Sequence, residues 1–163
     1  GVLALSAVCP PAVALAWVDP STGLDHPTRV TRRAEIPEQN WQRGHRGVDL
    51  ALPPGADVRA AAGGVVAFAG SVAGTPTVAI DHAGGIRTTY QPVNASVQVG
   101  DVVAEGGIIG TMSPQPVSRR AGNHDGLHWG AKTGPDSYID PLTLLRSPQI
   151  RLKPVGEPGR KPS

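Results

Sequence analysis

One cysteine, one phenylalanine, two tyrosines and a charged fraction of only 17% mark this 163-residue chain by scarcity. A lone Cys9 cannot build a disulfide framework, so a packed core has to supply the stability. The apolar runs are short, and the one near the start is broken by Pro10-Pro11, which argues against a transmembrane helix. A formal net charge of +2, with no basic stripe interleaved with aromatics, leaves no footprint for nucleic acid. Glycine and proline, by contrast, are plentiful at 21 and 17 residues, a composition that favours many short strands and tight turns over long helices. The length suits one domain with extensions.

The two ends read as extensions. Val2 to Ala16 is apolar and uncharged and closes on Ala14-Leu15-Ala16, the small-x-small pattern that precedes signal cleavage. Residues 1–16 are therefore expected to be a signal peptide cut before Trp17, with a buried apolar helix as the alternative. The chain opens on Gly1 without a basic stretch, which suggests a natural start further upstream. Cys9 falls within the segment to be removed, and Ser6-Ala7-Val8 is a poor lipidation context, so the exported protein is expected to be soluble and free of cysteine. Residues 17–40 are polar and of mixed charge, an extended lead-in packed on the domain. Residues 147–163 hold Pro148, Pro154, Pro158 and Pro162, and set Arg151, Lys153, Arg160 and Lys161 against Glu157, the composition of a solvated tail. The mild overall basicity suits an anionic cell-envelope surface.

Residues 41–146 carry the pattern of strands. Gly64 to Gly70 is an apolar, β-branched run bounded by glycines, preceded by Val58-Arg59-Ala60. Thr77 to His82 and Ile86 to Tyr90 flank Ala83-Gly84-Gly85, a hairpin signal. Val97 to Val103 holds a further turn, and Ile108 to Met112 another short strand. No stretch has the period and length of an amphipathic helix. The expected class is all-β, about ten short antiparallel strands in a sandwich or barrel.

Two segments carry potential chemistry. His45-Arg46-Gly47-Val48-Asp49 and Leu127-His128-Trp129-Gly130 offer two imidazoles and a carboxylate, and three such ligands with a fourth position open are what a hydrolytic zinc site requires. Residues four apart on a straight strand lie roughly 13 Å from each other, too far to share an ion. The chain is therefore expected to turn between His45 and Asp49, with Gly47 supplying the conformational freedom. Alternation places Leu127 and Trp129 on one face and His128 on the other, between Gly126 and Gly130, with room in front of the imidazole. The spacing alone also allows His45 as a loop residue and Asp49 as a turn-capping carboxylate.

The ordered set Gly44-His45-Arg46-Gly47-Val48-Asp49-Leu50, Pro54-Gly55-Ala56-Asp57-Val58, Gly64-Val65-Val66, Val99-Gly100-Asp101-Val102-Val103, Gly107-Ile108-Ile109-Gly110, Leu127-His128-Trp129 and Tyr138-Ile139-Asp140-Pro141-Leu142 resembles the M23 family of zinc metallopeptidases, the lysostaphin-like peptidoglycan endopeptidases. The resemblance covers about residues 41–146. It implies a lysostaphin-like β-sandwich of the barrel-sandwich hybrid type and a Zn2+ site held by His45, Asp49 and His128. It further implies an extracytoplasmic, monomeric protein acting on peptidoglycan.

Two departures from the family pattern bear on activity. The first histidine of the family's His-x-His strand falls on Gly126, and the histidine of its Tyr-x-His-Leu segment falls on Pro92 in Tyr90-Gln91-Pro92-Val93. Such imidazoles orient water and stabilise the oxyanion, worth roughly 10²–10⁴-fold for a proton-transfer partner. His124, in the turn sequence Asn123-His124-Asp125-Gly126, is the candidate replacement for the catalytic role. The combination of Tyr-x-Pro-Val, an upstream histidine and Leu-His-Trp-Gly is similar to an actinobacterial branch of the family. Gln91 carries an amide able to donate to an oxyanion. His82 is assigned to stabilising its hairpin turn, and His26 to the lead-in.

The function expected from the resemblance is zinc-dependent cleavage of peptidoglycan peptides. Its rival is an M23-fold protein that binds zinc and cell wall and regulates other hydrolases. A lipoyl- or biotinyl-carrier is excluded because Lys132, Lys153 and Lys161 do not fall at a hairpin tip between the right strands. Ser71 lacks the nucleophile-elbow context of a serine hydrolase.

Overall fold

Runs of β-branched residues separated by Gly, Pro and Asp make short strands, and the chain forms them in sequence order. In the computed structural model, which describes residues 16–39, 43–114 and 126–145, these are β1 (Val30–Arg32), β2 (Val48–Leu50), β3 (Asp57–Arg59), β4 (Gly64–Val72), β5 (Thr75–Asp81), β6 (Arg87–Gln91), β7 (Val93–Ala95), β8 (Val102–Val103), β9 (Ile108–Met112), β10 (Leu127–Gly134) and β11 (Ser137–Ile139), followed by a helical turn, α1 (Leu142–Leu145). Cys9 and most of the expected leader, His124 and the expected tail lie outside the described residues. The class is all-β, as the composition implies.

All the strand pairs are antiparallel. The larger sheet has the order β1-β2-β10-β6-β5-β4-β8, with β11 on the far part of β10, and the smaller sheet runs β3-β9-β7. Alternation in the central strands puts one set of side chains into the core. Val48, Leu50, Val66, Val78, Ile80, Tyr90, Leu127 and Trp129 are buried there, with Val58, Ile109 and Met112 contributed by the small sheet and Val93 beside them. The lead-in adds to this core through Trp17 and Val18. Its backbone is tied down by Val18 N–H donating to Ala61 O (2.8 Å) and by Arg59 N–H donating to Pro20 O (2.9 Å).

Several elements differ from the sequence pattern for identifiable reasons. The helical turn α1 has four residues, too few to generate a period; Asp140 caps it by accepting from Leu142 N–H (3.0 Å), with Pro141 at the first helical position. Of Val97–Val103 only Val102–Val103 pairs, because Gln98 to Asp101 forms a turn closed by Asp101 N–H to Gln98 O (3.0 Å). β7 is built from Val-Asn-Ala, which has little β propensity, and exists because Val93 pairs with Met112.

The hairpin between β5 and β6 turns at Gly84 and Gly85, both at positive φ. Its closure is by backbone, His82 N–H donating to Ile86 O (2.8 Å). The His82 imidazole does not serve the turn, contrary to expectation. Its Nδ1 lies 2.9 Å from Gly63 O and its Nε2 2.7 Å from Thr88 Oγ1, while Trp17 packs edge-on at 4.8 Å. Thr88 Oγ1 in turn lies 2.7 Å from the hydroxyl of Tyr90, which accepts from Ala61 N–H and whose pKa burial pushes up to about 12.

Burial also lowers the His82 pKa below its ordinary 6.5, with the Gly63 carbonyl and Asp81 opposing. The fold therefore prefers the neutral ring, so the contribution is complete above the unfolded-state value and is lost as pH falls below about 6.5. In thermal melts of the metal-free protein from pH 8 to pH 5, the stability gap between wild type and His82→Gln is expected to be constant above pH 7 and to narrow below pH 6.5. A gap of constant size throughout would contradict this.

Candidate metal centre

β2 pairs with β10 in the register that sets Asp49 opposite His128, and Val48 opposite Trp129. Val48, Leu50, Leu127 and Trp129 are fully buried in the core, which turns Asp49 and His128 to the other face. His45 arrives from the loop before β2. That loop is fastened by a two-way backbone bridge, Glu35 N–H to His45 O (2.8 Å) and His45 N–H to Glu35 O (3.0 Å). The spatial convergence expected from the sequence is present. His45 Nε2 lies 3.1 Å and His128 Nδ1 3.0 Å from the same oxygen, Asp49 Oδ1. The ring centroids are 5.0 Å apart, and a donor atom from each residue lies within 4.8 Å of the others. All three residues are buried, Asp49 completely.

The glycines around them do different work from that expected. Gly47 is not at positive φ; what matters is the missing side chain. A Cβ there would meet Trp129 O at 2.5 Å and His128 Cε1 at 2.7 Å, so the loop could not lie against β10. Gly130 leaves space beside His128 Nε2, 3.8 Å from where its Cβ would stand. Gly126 does not open the front of the site. It sits at φ +114°, and a Cβ would collide with Leu50 O at 2.1 Å. An imidazole at position 126 requires the backbone to move, not only a new side chain.

The donor set fits a divalent metal. His45 Nδ1 lies 2.8 Å from Arg33 O; since a carbonyl can only accept, Nδ1 carries the proton, and the neutral ring presents a bare Nε2 lone pair to Asp49. Two lone-pair atoms 3.1 Å apart repel unless a proton or a cation lies between them. A fully buried carboxylate is also costly without a compensating charge. Two imidazole nitrogens and one carboxylate oxygen are ligands that Zn2+ takes, and the carbonyl behind His45 is the outer partner such ligands use to fix their tautomer.

Other residues singled out from the sequence fall into place around this centre. His124 lies outside the described residues. Pro92 is buried just past the end of β6, after a cis peptide bond with Gln91. Gln91 pairs directly with His128. His82 belongs to the core network described above, and Ser71 lies in β4, paired with Pro76. The Arg33 carbonyl was invisible to sequence reading, because a backbone acceptor leaves no residue signature. A cavity of about 600 Å³ lies elsewhere, lined by residues including His82, Ile86, Lys132 and Pro135. Of its two cations, Arg87 is paired with both carboxylate oxygens of Asp81, at 2.5 and 2.8 Å.

Gly47→Ala tests the packing directly. The added methyl has to displace either the His128 ring or the Trp129 carbonyl, and zinc affinity, measured by chelator competition, is expected to fall at least ~10-fold. Unchanged affinity in a folded variant would show that the loop and β10 do not constrain each other.

Comparison with known proteins agrees with this geometry. A sequence profile of peptidase family M23 matches residues 43–141, more than half of the chain. An uncharacterized protein of Mycobacterium tuberculosis is 46% identical over 146 residues, 84% of this chain and 55% of that protein. The DD-carboxypeptidase/endopeptidase Mpg of Neisseria meningitidis is 38% identical over 110 residues, 66% of this chain and 24% of that protein. The chain thus spans about half the length of the mycobacterial relative (55%) and about a quarter of the neisserial one (24%). The solution structure of lysostaphin shares the fold, with a TM-score of 0.60 at 23% identity over 76% of this chain and 54% of that one. With the family profile running from before His45 to Pro141 across both segments that carry the candidate ligands, the chain belongs to peptidase family M23.

Proposed function

We propose that the protein is a zinc-dependent metalloendopeptidase that acts outside the cytoplasm on the peptide portion of peptidoglycan. The observation that carries this reading is the meeting of His45 Nε2, Asp49 Oδ1 and His128 Nδ1 with the His45 tautomer fixed by Arg33 O. The name of the neisserial relative, a DD-carboxypeptidase/endopeptidase, supports a cell-wall peptide as substrate. Zinc held by these residues supplies Lewis acidity to a peptide carbonyl and to water.

The residues of the chain supply the rest. The carboxylate of Asp49 offsets metal charge, and the Arg33 carbonyl keeps the His45 ring oriented for its Nε2 to coordinate. Gly47 and Gly130 keep side chains away from the His128 ring. His124 is the proposed proton-transfer residue, replacing the imidazoles that the family places at the positions of Gly126 and Pro92. A non-hydrolytic module that binds zinc and cell wall is the second reading. It is favoured by the backbone at Gly126, which has no room for the usual side chain.

One experiment separates them. The full chain is loaded with zinc and given purified peptidoglycan peptides, alongside His128→Ala and His124→Ala. The peptidase reading expects turnover that a chelator removes and zinc restores, that His128→Ala abolishes, and that His124→Ala slows by ~10²-fold or more with its zinc retained. Bound zinc with no turnover would leave the non-hydrolytic module.

A further inference from the structure

The face of the large sheet that bears the metal centre runs on along β10 and β6 to a second group of charges. The two strands pair without a shift, from His128 opposite Gln91 to Lys132 opposite Arg87. Trp129, Ala131, Tyr90 and Thr88 are buried on the core side. His128, Gly130 and Lys132 on β10 therefore share the outer face with Gln91, Thr89 and Arg87 on β6. β5 extends that face, with Asp81 opposite Arg87. Lys132 stands four positions after His128, roughly 13 Å along the strand, and Gly130 is the residue between them on this face of β10.

Asp81, Arg87 and Lys132 line the cavity of about 600 Å³, together with Ile86 and Pro135. Its charges do not balance. Asp81, the acid of the lining, accepts from Arg87 Nε–H (2.5 Å) and Nη2–H (2.8 Å). That leaves Arg87 its Nη1 hydrogens and a second one on Nη2. Lys132, half-buried, makes no ion pair among the described residues. The Arg87 hydrogen bond holds the Asp81 pKa below its ordinary value with smaller help from the Lys132 charge, which puts that ammonium in the same electrostatic neighbourhood. Like charges directly opposed across an antiparallel pair are destabilising, so the fold gains nothing from setting Lys132 against Arg87.

We propose, on the metallopeptidase reading above, that Lys132 and Arg87 form a carboxylate-binding subsite and that the substrate is an acidic peptide, held by a carboxylate about four extended residues from the scissile bond. An extended chain advances at most ~3.3–3.6 Å per residue, so four residues cover the roughly 13 Å between Lys132 and His128. After Asp81 is counted, the two cations leave a single positive charge, which a carboxylate matches and a phosphate dianion exceeds. The free N–H donors of both side chains supply charge-assisted hydrogen bonds to it. Lys132 determines the specificity, because Arg87 is shared with Asp81. It acts on binding and not on the reacting atoms.

The test uses the full chain and its Lys132→Gln and Lys132→Glu variants with two probes, a synthetic peptidoglycan peptide with free carboxylates and the same peptide with every carboxylate amidated. Affinity is measured on the metal-free protein, after zinc and chelator are removed, so that nothing is cleaved; kcat and KM are measured with zinc loaded. Wild type is expected to bind the carboxylate peptide ~10-fold more tightly than the amidated one, with the preference fading in about 1 M salt. The same factor is expected in KM, with kcat little changed. Lys132→Gln is expected to lose most of the preference and Lys132→Glu to invert it. Zinc affinity should not change, and the unfolding midpoint should stay or rise, since a like-charge contact is removed. Equal affinity for the two peptides in wild type, or an undiminished preference in Lys132→Gln, overturns the subsite and leaves the peptidase reading intact. Inorganic phosphate displacing the peptide more strongly than acetate at equal ionic strength overturns the assignment to a carboxylate. A preference that depends on Lys132 in a zinc-loaded protein without turnover supports the subsite and overturns the peptidase reading alone.

Discussion

Pairing of β2 with β10 in one register holds the site together. It brings Asp49 and His128, 79 residues apart in the chain, to a hydrogen-bond distance of 3.0 Å. The register is specified from the opposite face, where Val48, Leu50, Leu127 and Trp129 are fully buried. Each such side chain contributes about 1.5–3 kcal/mol by leaving water, and a slip of one residue would expose all of them while driving His128 and Asp49 into the core. Core packing therefore positions the candidate ligands without touching them. Gly47 is the condition for this, because the His45 loop can lie against β10 only if nothing projects from that position toward Trp129 O.

The same geometry concentrates an electrostatic cost. Asp49 is fully buried and shares one oxygen between two imidazoles. With His45 Nδ1 committed to Arg33 O, the neutral ring cannot also donate to Asp49 from Nε2. The arrangement is satisfied by a proton or by a divalent cation, and a cation satisfies all three residues together. The lead-in is part of this device, since β1 and the bridge at Glu35 deliver both the Arg33 carbonyl and the backbone that orients His45. It cannot be regarded as a passive extension.

Much of this was legible in the sequence, and the parts that were not share a cause. The candidate set of His45, Asp49 and His128, the all-β class, the hairpin at Gly84-Gly85 and the outward face of His128 follow from residue type and a period of two, both local properties. Missed features depend on what a residue meets in space. Gly47 looked like a flexible hinge but is a close-approach position; Gly126 looked like free space but has a carbonyl in front of it. His82 looked like a turn residue because its backbone closes the turn, whereas its imidazole reaches a different loop. The strand β7 and the helical turn α1 are too short to carry periodicity and are imposed by their partners and caps.

On the proposed reading, the departures from the family pattern are linked. Gly126 immediately precedes β10 and Pro92 immediately follows β6, so they flank the neighbouring pair formed by His128 and Gln91. With the Leu50 carbonyl 2.1 Å from where a Cβ of residue 126 would stand, an imidazole cannot be restored there by substitution alone. What this face retains beside His128 is an amide, which cannot move a proton. Peptide hydrolysis needs proton transfer, since the departing amine has to be protonated. On that reading the proton comes from His124 or from solvent.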